Sequence, residues 1–587
     1  MKILVVGGGG REHTLVWKIS QSKLVDKIYC APGNAGSQEF AESVPISADD
    51  IEALADFAEK NSIDLTVVGP EGPLVAGISD VFKSRGLKLF GPDKKAALLE
   101  GSKDYAKKHM QKYNIPTSIG KAFTVASEAK AYVKYLGAPI VVKADGLAAG
   151  KGVIICKTEK EAFEAIDSMI KDKVFGKAGE VVVVEETLEG EEASFIALSD
   201  GKTVLPLPES QDHKRIFDND EGPNTGGMGA YSPAPVLDTM LKKMAMEQVM
   251  IPAVEGMAKE GTLFKGILYA GLMIKDNKIK VLEFNTRLGD PETQPILMRL
   301  ENDIVPLIEA CVDGTLHLHK TIISPKAAMC VVVSSKGYPG PYETGEVITG
   351  LKDAEKDGST KVFHAGTKMK DGKVVTSGGR VLGVTSLGDN VQDAIDKAYV
   401  ACSKISFNGH FYRKDIGARA IKKLGTPPQV GIVMGSDSDF EVMQETLKVL
   451  KKFDIPYHVT VASAHRTPEK AVEFASSAKG KGIKVLIAGA GHAAHLAGII
   501  AAHTILPVLG VPIGSSALQG MDSLLSTVQM PPGVPVASMA IGKPGATNAG
   551  ILAAQIIAVS DNVLAKKLLN FKEEMAEKVA KKAENIA

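Results

Sequence analysis

Short apolar runs alternate with amphipathic stretches through the first hundred residues. Residues 3–6, 65–68 and 87–90 read as buried strands, and Leu15, Val16 and Ile19 fall at helical spacing behind the first of them. Strands alternating with helices predict a parallel sheet whose ligands gather at the carboxyl ends of its strands. From about Gly101 the texture changes. Residues 139–144 and 152–156 predict two strands joined by a glycine-rich turn, and residues 181–185 a third. Residues 209–235 are rich in Gly, Pro, Asp and Asn with almost no apolar period, and so long an irregular stretch inside a compact domain is usually functional. A smaller β-rich section runs from 327 to about 425. The break Gly425-Thr426-Pro427-Pro428 follows, since proline fixes φ and donates no ladder hydrogen bond. Beyond it the strand–helix rhythm restarts, with strands expected at 430–434, 457–462, 485–488, 507–511 and 536–541. A Lys/Glu-rich helix is expected from 571 onward. The expected domains are 1–102, 103–326 and 327–424, a linker at 425–428, and 429–587.

Composition narrows the function classes. A chain of 587 residues exceeds what one hydrophobic core serves, so three or four domains are expected. Lys plus Arg and Asp plus Glu both total 69, which leaves no global field to draw in nucleic acid or an anionic membrane. The cysteines Cys30, Cys156, Cys311, Cys330 and Cys402 form no CxxC pair, which argues against a disulfide framework or a zinc site and fits a reducing compartment. No signal-peptide pattern opens the chain. Its most apolar region, 485–514, is interrupted by His492, His495, His503 and Pro507 and does not read as a membrane span. The expectation is a cytoplasmic protein with small-molecule substrates, no nucleic acid and no membrane.

Three segments of the first half carry chemistry. Gly7–Gly10 with Arg11 forms a glycine-rich loop between strand and helix, suited to a phosphate or simply to a tight turn. It is not a dinucleotide fingerprint, because His13 stands where the third glycine belongs. A similar loop, Gly69-Pro70-Glu71-Gly72-Pro73, follows another strand. Lys143-Ala144-Asp145-Gly146-Leu147-Ala148-Ala149-Gly150-Lys151-Gly152 lacks the P-loop spacing but can act as a flap over a triphosphate, or be an ordinary hairpin turn. Glu283 and Asn285 share one face of a strand and offer hard oxygen ligands suited to Mg²⁺. Arg287 and Asp290 behind them can hold a zwitterion's carboxylate and ammonium.

GGGGREH, APGNAG, VGPEGPLVAG, KADGLAAGKGV, EGEEASF, SQDHKR, GPNTGGMGAYSP and EFNTRLGDPETQP occur in that order, and together they resemble glycinamide ribonucleotide synthetase, an ATP-grasp ligase, over about residues 1–424. The resemblance implies an α/β architecture: a Rossmann-like N-terminal domain, an ATP-grasp domain and a small β-rich C-terminal ligase domain. It implies ATP as substrate and Mg²⁺ or Mn²⁺ at Glu283 and Asn285. Lys103 and Lys143 would contact ATP phosphates, with Gly150, Lys151 and Gly152 in the flap. Glu185, Glu186 and Leu188 would line the adenine hinge and Glu191 the ribose. Asp212, Arg287 and Asp290 become candidates for glycine. Gly10, Arg11, Glu12, Asn34, Gly36, Pro70 and Glu71 become candidates for phosphoribosylamine. Arg287 and Lys143 are the catalytic candidates, and no covalent protein nucleophile is required.

In the second half, Met434-Gly435-Ser436-Asp437-Ser438-Asp439 ends a strand and starts a helix. That is an anion site or a plain Ser/Asp cap. Ser463-Ala464-His465-Arg466 ends the next strand, placing an imidazole for proton transfer beside a phosphate-holding arginine. GSDSD, SAHRTP, AGHAAHLAG, LGVPI and GMDSLLSTVQMP resemble 5-(carboxyamino)imidazole ribonucleotide mutase over about 429–560. This implies a flavodoxin-like three-layer α/β/α domain needing no cofactor. His465 would be the acid/base, and Ser436, Asp439, Ser463, Arg466, Gly491 and His495 would lie at the substrate. The family's octameric habit implies a homo-oligomer, for which the small-residue segment 545–557 looks suited to packing between subunits. Two departures stand out: His492 for glycine and Ala497 for proline. A CO₂-using carboxylase is the alternative for this half. An NAD- and flavin-binding oxidoreductase and a non-catalytic scaffold are the rival classes for the whole chain.

Overall fold

The computed structural model describes residues 1–147, 152–425 and 428–584, and the chain divides into two compact units between Lys423 and Leu424. The first unit opens with a parallel five-stranded sheet. Lys2–Gly7 lies at its centre, with Lys27–Pro32 and Glu42–Ser43 on one side and Leu65–Val68 and Leu89–Phe90 on the other. Ile3, Leu4, Val5 and Val6 are all buried, as expected of a parallel strand covered on both faces. Strand order reverses at Lys2–Gly7, which leaves a crevice at its carboxyl end where the chain turns into the helix Gly10–Ile19.

Two antiparallel four-stranded sheets follow. One runs Gly120–Phe123, Val182–Glu186, Ile140–Ala144, Val153–Cys156, and the other Val204–Pro206, Glu191–Asp200, Lys265–Lys275, Lys278–Asn285. The strands Ile140–Ala144 and Val153–Cys156 pair as a hairpin, with Lys143 opposite Val153. Gly150 and Lys151, between them, lie outside the described residues. On Lys278–Asn285, Phe284 is buried in the core while its neighbours Glu283 and Asn285 alternate to the other face, paired opposite Gly271 and Tyr269.

A fourth sheet joins segments from both sides of position 326. Gln211–Asp212 pairs with Gly229–Ser232, which pairs onto Ala327–Ser334, and the sheet continues to Arg380–Gly388 and Thr360–His364. The irregular stretch 209–235 is therefore more ordered than its composition suggests. Its hairpin, Arg215–Phe217 with Glu221–Asn224, is stapled by the buried Arg413. That guanidinium donates to Asp220 at 3.0 Å, Asp415 at 2.7 Å and the Arg215 carbonyl at 2.9 Å.

The second unit holds a parallel sheet in the order Tyr457–Val461, Val430–Met434, Val485–Gly491, Val508–Ile513, Ala537–Ser538. The small-residue helix Lys543–Ala558 corrects one expectation. Gly545, Ala546, Ala549, Gly550, Ala553 and Ala554 are buried within the unit, not free for a neighbouring subunit. They let the helix press on Phe440–Lys452: a Cβ at Gly550 would meet Val449 at 2.8 Å, and Thr446 Oγ1 donates to the Ala546 carbonyl at 2.7 Å. The closing helix, Asn562–Glu584, begins earlier than its charge pattern suggests because Leu564 and Leu568 dock on the core. Among the described residues no helix is long and apolar enough to cross a membrane.

Candidate active sites

At the carboxyl end of Lys2–Gly7 the loop is tied down by its own side chains. Glu12 Oε2 accepts the Gly9 N–H at 2.6 Å, closing a capping box, and Glu12 Oε1 accepts from Arg11 Nε at 2.6 Å. Arg11 also donates to the Leu288 carbonyl at 2.9 Å, which joins this loop to the segment carrying Arg287. A Cβ at Gly10 would meet Gln294 Nε2 at 2.8 Å, so a side chain there would push aside the amide that donates to Asp290. Asn34 and Gly36 differ from expectation. The Asn34 amide donates to the carbonyls of Gly8 (3.0 Å) and His364 (2.7 Å), and its oxygen accepts from the N–H groups of Gly36 (3.0 Å) and Ser37 (2.9 Å). With its donors and acceptor engaged by backbone, Asn34 shapes the loop instead of facing a ligand. Gly36 packs tightly against the rings of His13 and His364. Pro70 caps the short helix Glu71–Ala76 and presents Glu71 toward Arg287.

Arg287 is the hub of the next layer. Its Nε donates to Glu71 at 3.1 Å, and its Nη2 ion-pairs with Glu100 at 2.9 Å and donates weakly to Asn285 Oδ1 at 3.4 Å. Burial works against the guanidinium charge, but Glu100 and Glu71 raise its pKa above the usual arginine value. Burial also pushes the Glu71 carboxyl up, and Arg287 and Arg11 outweigh it, so its pKa falls. Asp290 follows the same logic: burial is overcome by Arg380, which donates at 3.0 Å, and by Gln294 at 2.8 Å. Sequence reasoning missed Glu100 and Arg380. Glu100 lies near the end of the short helix Leu98–Gly101 and Arg380 is distant in sequence; neither belongs to a ligand-type loop.

The lysines form the third layer. Ser102 caps the helix Lys103–Lys112 and its hydroxyl donates to Asp145 at 3.0 Å, which brings Lys103 beside the hairpin that carries Lys143. Lys143 ion-pairs with Glu185 and donates to the Leu282 carbonyl at 3.1 Å. Glu185 takes a second cation, Lys107, at 2.7 Å. Burial raises the Glu185 carboxyl and the two lysines more than reverse this, so it stays ionised. Lys107 was not anticipated, because a lysine on a Lys-rich helix reads as a solvated face. Glu186 pairs with Lys280 at 2.6 Å, Leu188 is half-buried, and Glu191 lies 3.5 Å from Lys423. Gly152 accepts from the Ala144 N–H at 2.8 Å. Burial raises the Asp212 carboxyl to about 7, beside Lys214, which donates to Glu192 at 2.6 Å. Glu283, by contrast, makes no side-chain hydrogen bond or ion pair among the described residues. Its oxygens, with Asn285 Oδ1, fit a hard divalent cation.

In the second unit the strand tips carry the reactive groups. His465 Nε2 lies 2.9 Å from His495 Nδ1, so one ring donates to the other. Ser463 Oγ accepts the Arg466 N–H at 3.2 Å, and Arg466 Nη2 donates to the Gly435 carbonyl at 3.2 Å, closing the ring of loops. Ser436 and Asp439 form a capping box, and burial raises the Asp439 carboxyl. Gly491 is pressed against Ser515, whose hydroxyl lies 3.1 Å from His492 Nδ1. His492 has φ of +55°, the left-handed region where glycine is at ease. Ala497 sits in the first turn of Leu496–Ala502, where proline and alanine are both accommodated. Beside His495 a groove of about 630 Å³ is lined by Gly498, Ile499, Leu525 and Met530.

Comparison with known proteins agrees with this layout. Residues 1–100, 101–293 and 328–419 match the N, ATP-grasp (A) and C domains of phosphoribosylglycinamide synthetase, and residues 429–578 match AIR carboxylase. The chain is 53% identical over 426 residues to the phosphoribosylamine–glycine ligase of Pasteurella multocida, covering 72% of this chain and 99% of that one. It is 52% identical over 418 residues to the ligase of the same name from Caldanaerobacter subterraneus, covering 71% of this chain and 100% of that one. A crystal structure of the phosphoribosylamine–glycine ligase of Thermotoga maritima superposes with a TM-score of 0.64 at 33% identity, over 71% of this chain and 100% of that one. A biotin carboxylase domain from Hydrogenobacter thermophilus shares the fold alone, with a TM-score of 0.56 at 17% identity, over 70% of this chain and 91% of that one.

Proposed function

We propose, for a chain that belongs to the phosphoribosylglycinamide synthetase family and continues into an AIR carboxylase domain, that each unit runs a reaction of its own. The first unit is a phosphoribosylamine–glycine ligase of purine biosynthesis. Glycine's carboxylate is a poor electrophile, so the γ-phosphoryl of ATP is transferred to it, giving glycyl phosphate and ADP. The amine of phosphoribosylamine then attacks the acyl carbon and expels phosphate. Glu283 and Asn285 would hold Mg²⁺ or Mn²⁺, which neutralises phosphate charge when bound. Lys103 and Lys143 would steady the triphosphate, and Arg287, Asp212 and Asp290 would orient glycine. The observation that carries this reading is the unpaired Glu283, in a unit where the neighbouring carboxylates Glu71, Glu185 and Asp290 are each paired with a cation. The test is ADP release that depends on glycine and phosphoribosylamine together.

For the second unit we read a 5-(carboxyamino)imidazole ribonucleotide mutase. His465, oriented by His495, would assist loss of CO₂ from the exocyclic nitrogen and then take the proton from the ring carbon after recapture. The hydrogen-bonded imidazole pair supports proton transfer, and the retained His495 with the motif pattern outside the two departures favours the mutase over the carboxylase. Two assays separate them: carboxyaminoimidazole ribonucleotide without added bicarbonate, and aminoimidazole ribonucleotide with it. Product from the second substrate alone would replace the mutase with the carboxylase. Self-association through this unit is supported by the exposed Leu518, Met521, Leu525 and Val528, of which Leu525 lines the groove. Light scattering that returned a monomer would remove the oligomer.

A further inference from the structure

The carboxylates on Arg287 are unequal. Glu71 opens the short helix Glu71–Ala76 and its side chain is 32% exposed, whereas the Glu100 side chain is 5% exposed. Glu100 stands at the end of the short helix Leu98–Gly101, immediately before the segment carrying Lys103. One of its oxygens, Oε2, accepts both the Thr286 N–H at 2.7 Å and the Thr286 hydroxyl at 3.1 Å. The other, Oε1, lies 2.9 Å from Arg287 Nη2 in an ion pair. Residues 283–287 are thus gripped at the point where the strand bearing Glu283 and Asn285 ends. The arginine nitrogen held by Glu100 is the same one that leans toward Asn285.

A carboxylate this buried is costly unless it is answered, and burial does raise its pKa, with Arg287 pulling the other way. A glutamine in its place would keep the size but would offer one oxygen and one N–H group. Its N–H would face either the arginine or the Thr286 N–H, both donors. The site therefore needs an acceptor on both sides, which only the carboxylate supplies.

We propose that Glu100 is a positioning residue of the ligase site, fixing the Arg287 guanidinium and the Thr286 backbone so that Arg287 meets the amino-acid substrate in one orientation. This rests on the reading of Arg287 as a glycine-binding group. It separates two roles that the sequence leaves merged: Glu71, on the accessible side, can exchange partners during turnover, while Glu100 holds throughout. Lys103 donates to the Gly146 carbonyl at 3.2 Å and Lys143 to the Leu282 carbonyl at 3.1 Å, so the triphosphate side of the site depends on Glu100 less than the amino-acid side does.

The test uses the full chain carrying Glu100→Gln, Glu100→Asp, Arg287→Lys, and Glu100→Gln combined with Arg287→Lys. The expected result for Glu100→Gln is a glycine KM raised about 10-fold or more, with the ATP KM within about two-fold of wild type. Glu100→Asp, which keeps the charge, recovers part of the loss. The double variant is no worse for glycine than Arg287→Lys alone, because the two residues act as one unit. Should Glu100→Gln fail to fold, Glu100→Asp still reads the same KM split. An unchanged glycine KM in folded protein, equal movement of both KM values, or additive losses in the double variant would each overturn the proposal. A wild-type chain without glycine-dependent ADP release would remove the ligase reading and the anchor with it; normal wild-type turnover beside an indifferent Glu100→Gln removes the anchor alone.

Discussion

Around Arg287 the charges are buried and answered from within the unit: two carboxylates on the arginine, two lysines on Glu185, and an arginine and an amide on Asp290. Around His465 the imidazole, Arg466 and His495 are all exposed, and the site consists of loops held by backbone carbonyls and a serine hydroxyl. The contrast follows from the chemistry. An acyl phosphate is destroyed by water, so the ligase site needs walls and prearranged charge within one copy of the chain. A proton shuttle needs chiefly a correctly aimed ring. In the proposed mutase reaction released CO₂ must still be retained, and with both rings exposed in a single copy, cover from a second copy is what the proposed self-association would provide.

The sharpest way to break this comparison is to disable each site separately. Glu283→Gln removes a carboxylate that has no cation partner among the described residues and should cut glycine-dependent ADP release about 10³-fold, leaving carboxylate transfer at the wild-type rate. His465→Asn should do the reverse, lowering carboxylate transfer about 10²- to 10⁴-fold with ADP release untouched. Either substitution abolishing both activities in folded protein would end the idea of two self-contained sites.

What the sequence disclosed divides along the same line. In the second unit the candidate groups lie in contiguous loops after predicted strands, so the placement of Ser436 and His465 at strand tips was legible from spacing, while His495 came from the family resemblance. The observed strand Leu65–Val68 and the centre of Lys2–Gly7 also match their apolar runs. The first unit is less legible because its site is assembled by contacts hundreds of positions apart, as in Arg11 with Leu288 or Asn34 with His364. Glu100, Lys107, Arg380 and Arg413 look like ordinary surface charges in one dimension, and only tertiary burial gives them a role. The reverse error occurred at 545–557, where small residues suggested an intersubunit face and instead serve a helix contact within the unit.

A pH experiment sharpens the buried side. Burial raises Asp212 to about 7, against about 3.9 for an unfolded aspartate. Above pH 4 the unfolded chain gives up this proton while the folded chain keeps it, so the group's contribution to stability is intact below pH 4 and is lost as pH rises through 7. Asp212→Asn removes that loss. The variant should unfold at a higher temperature than wild type at pH 8, by an upper bound of about 4 kcal/mol shared with Lys214 and Glu192, and the gap should close toward pH 4. It should also lose glycine turnover, as expected where stability is given up for function. A gap that stays constant with pH would show that Asp212 is not the titrating group.

The smallest effect tests whether backbone shape, and not charge, governs the open site. His492 holds φ of +55°, a conformation costing an L-residue about 1 kcal/mol. Its exposed contact with Ser515, 3.1 Å, offsets only part of that. At an ordinary position alanine is more stable than glycine by about 0.4–1 kcal/mol, because it restricts the unfolded chain. At position 492 the order should invert, with His492→Gly more stable than His492→Ala by about 1 kcal/mol in denaturant unfolding of the second unit. His492→Gly should also keep carboxylate transfer close to wild type, since glycine preserves the loop that aims His495 at His465. If alanine proves the more stable, the left-handed turn is not what shapes this loop, and the distinction between a site built by charge pairs and a site built by backbone loses its support.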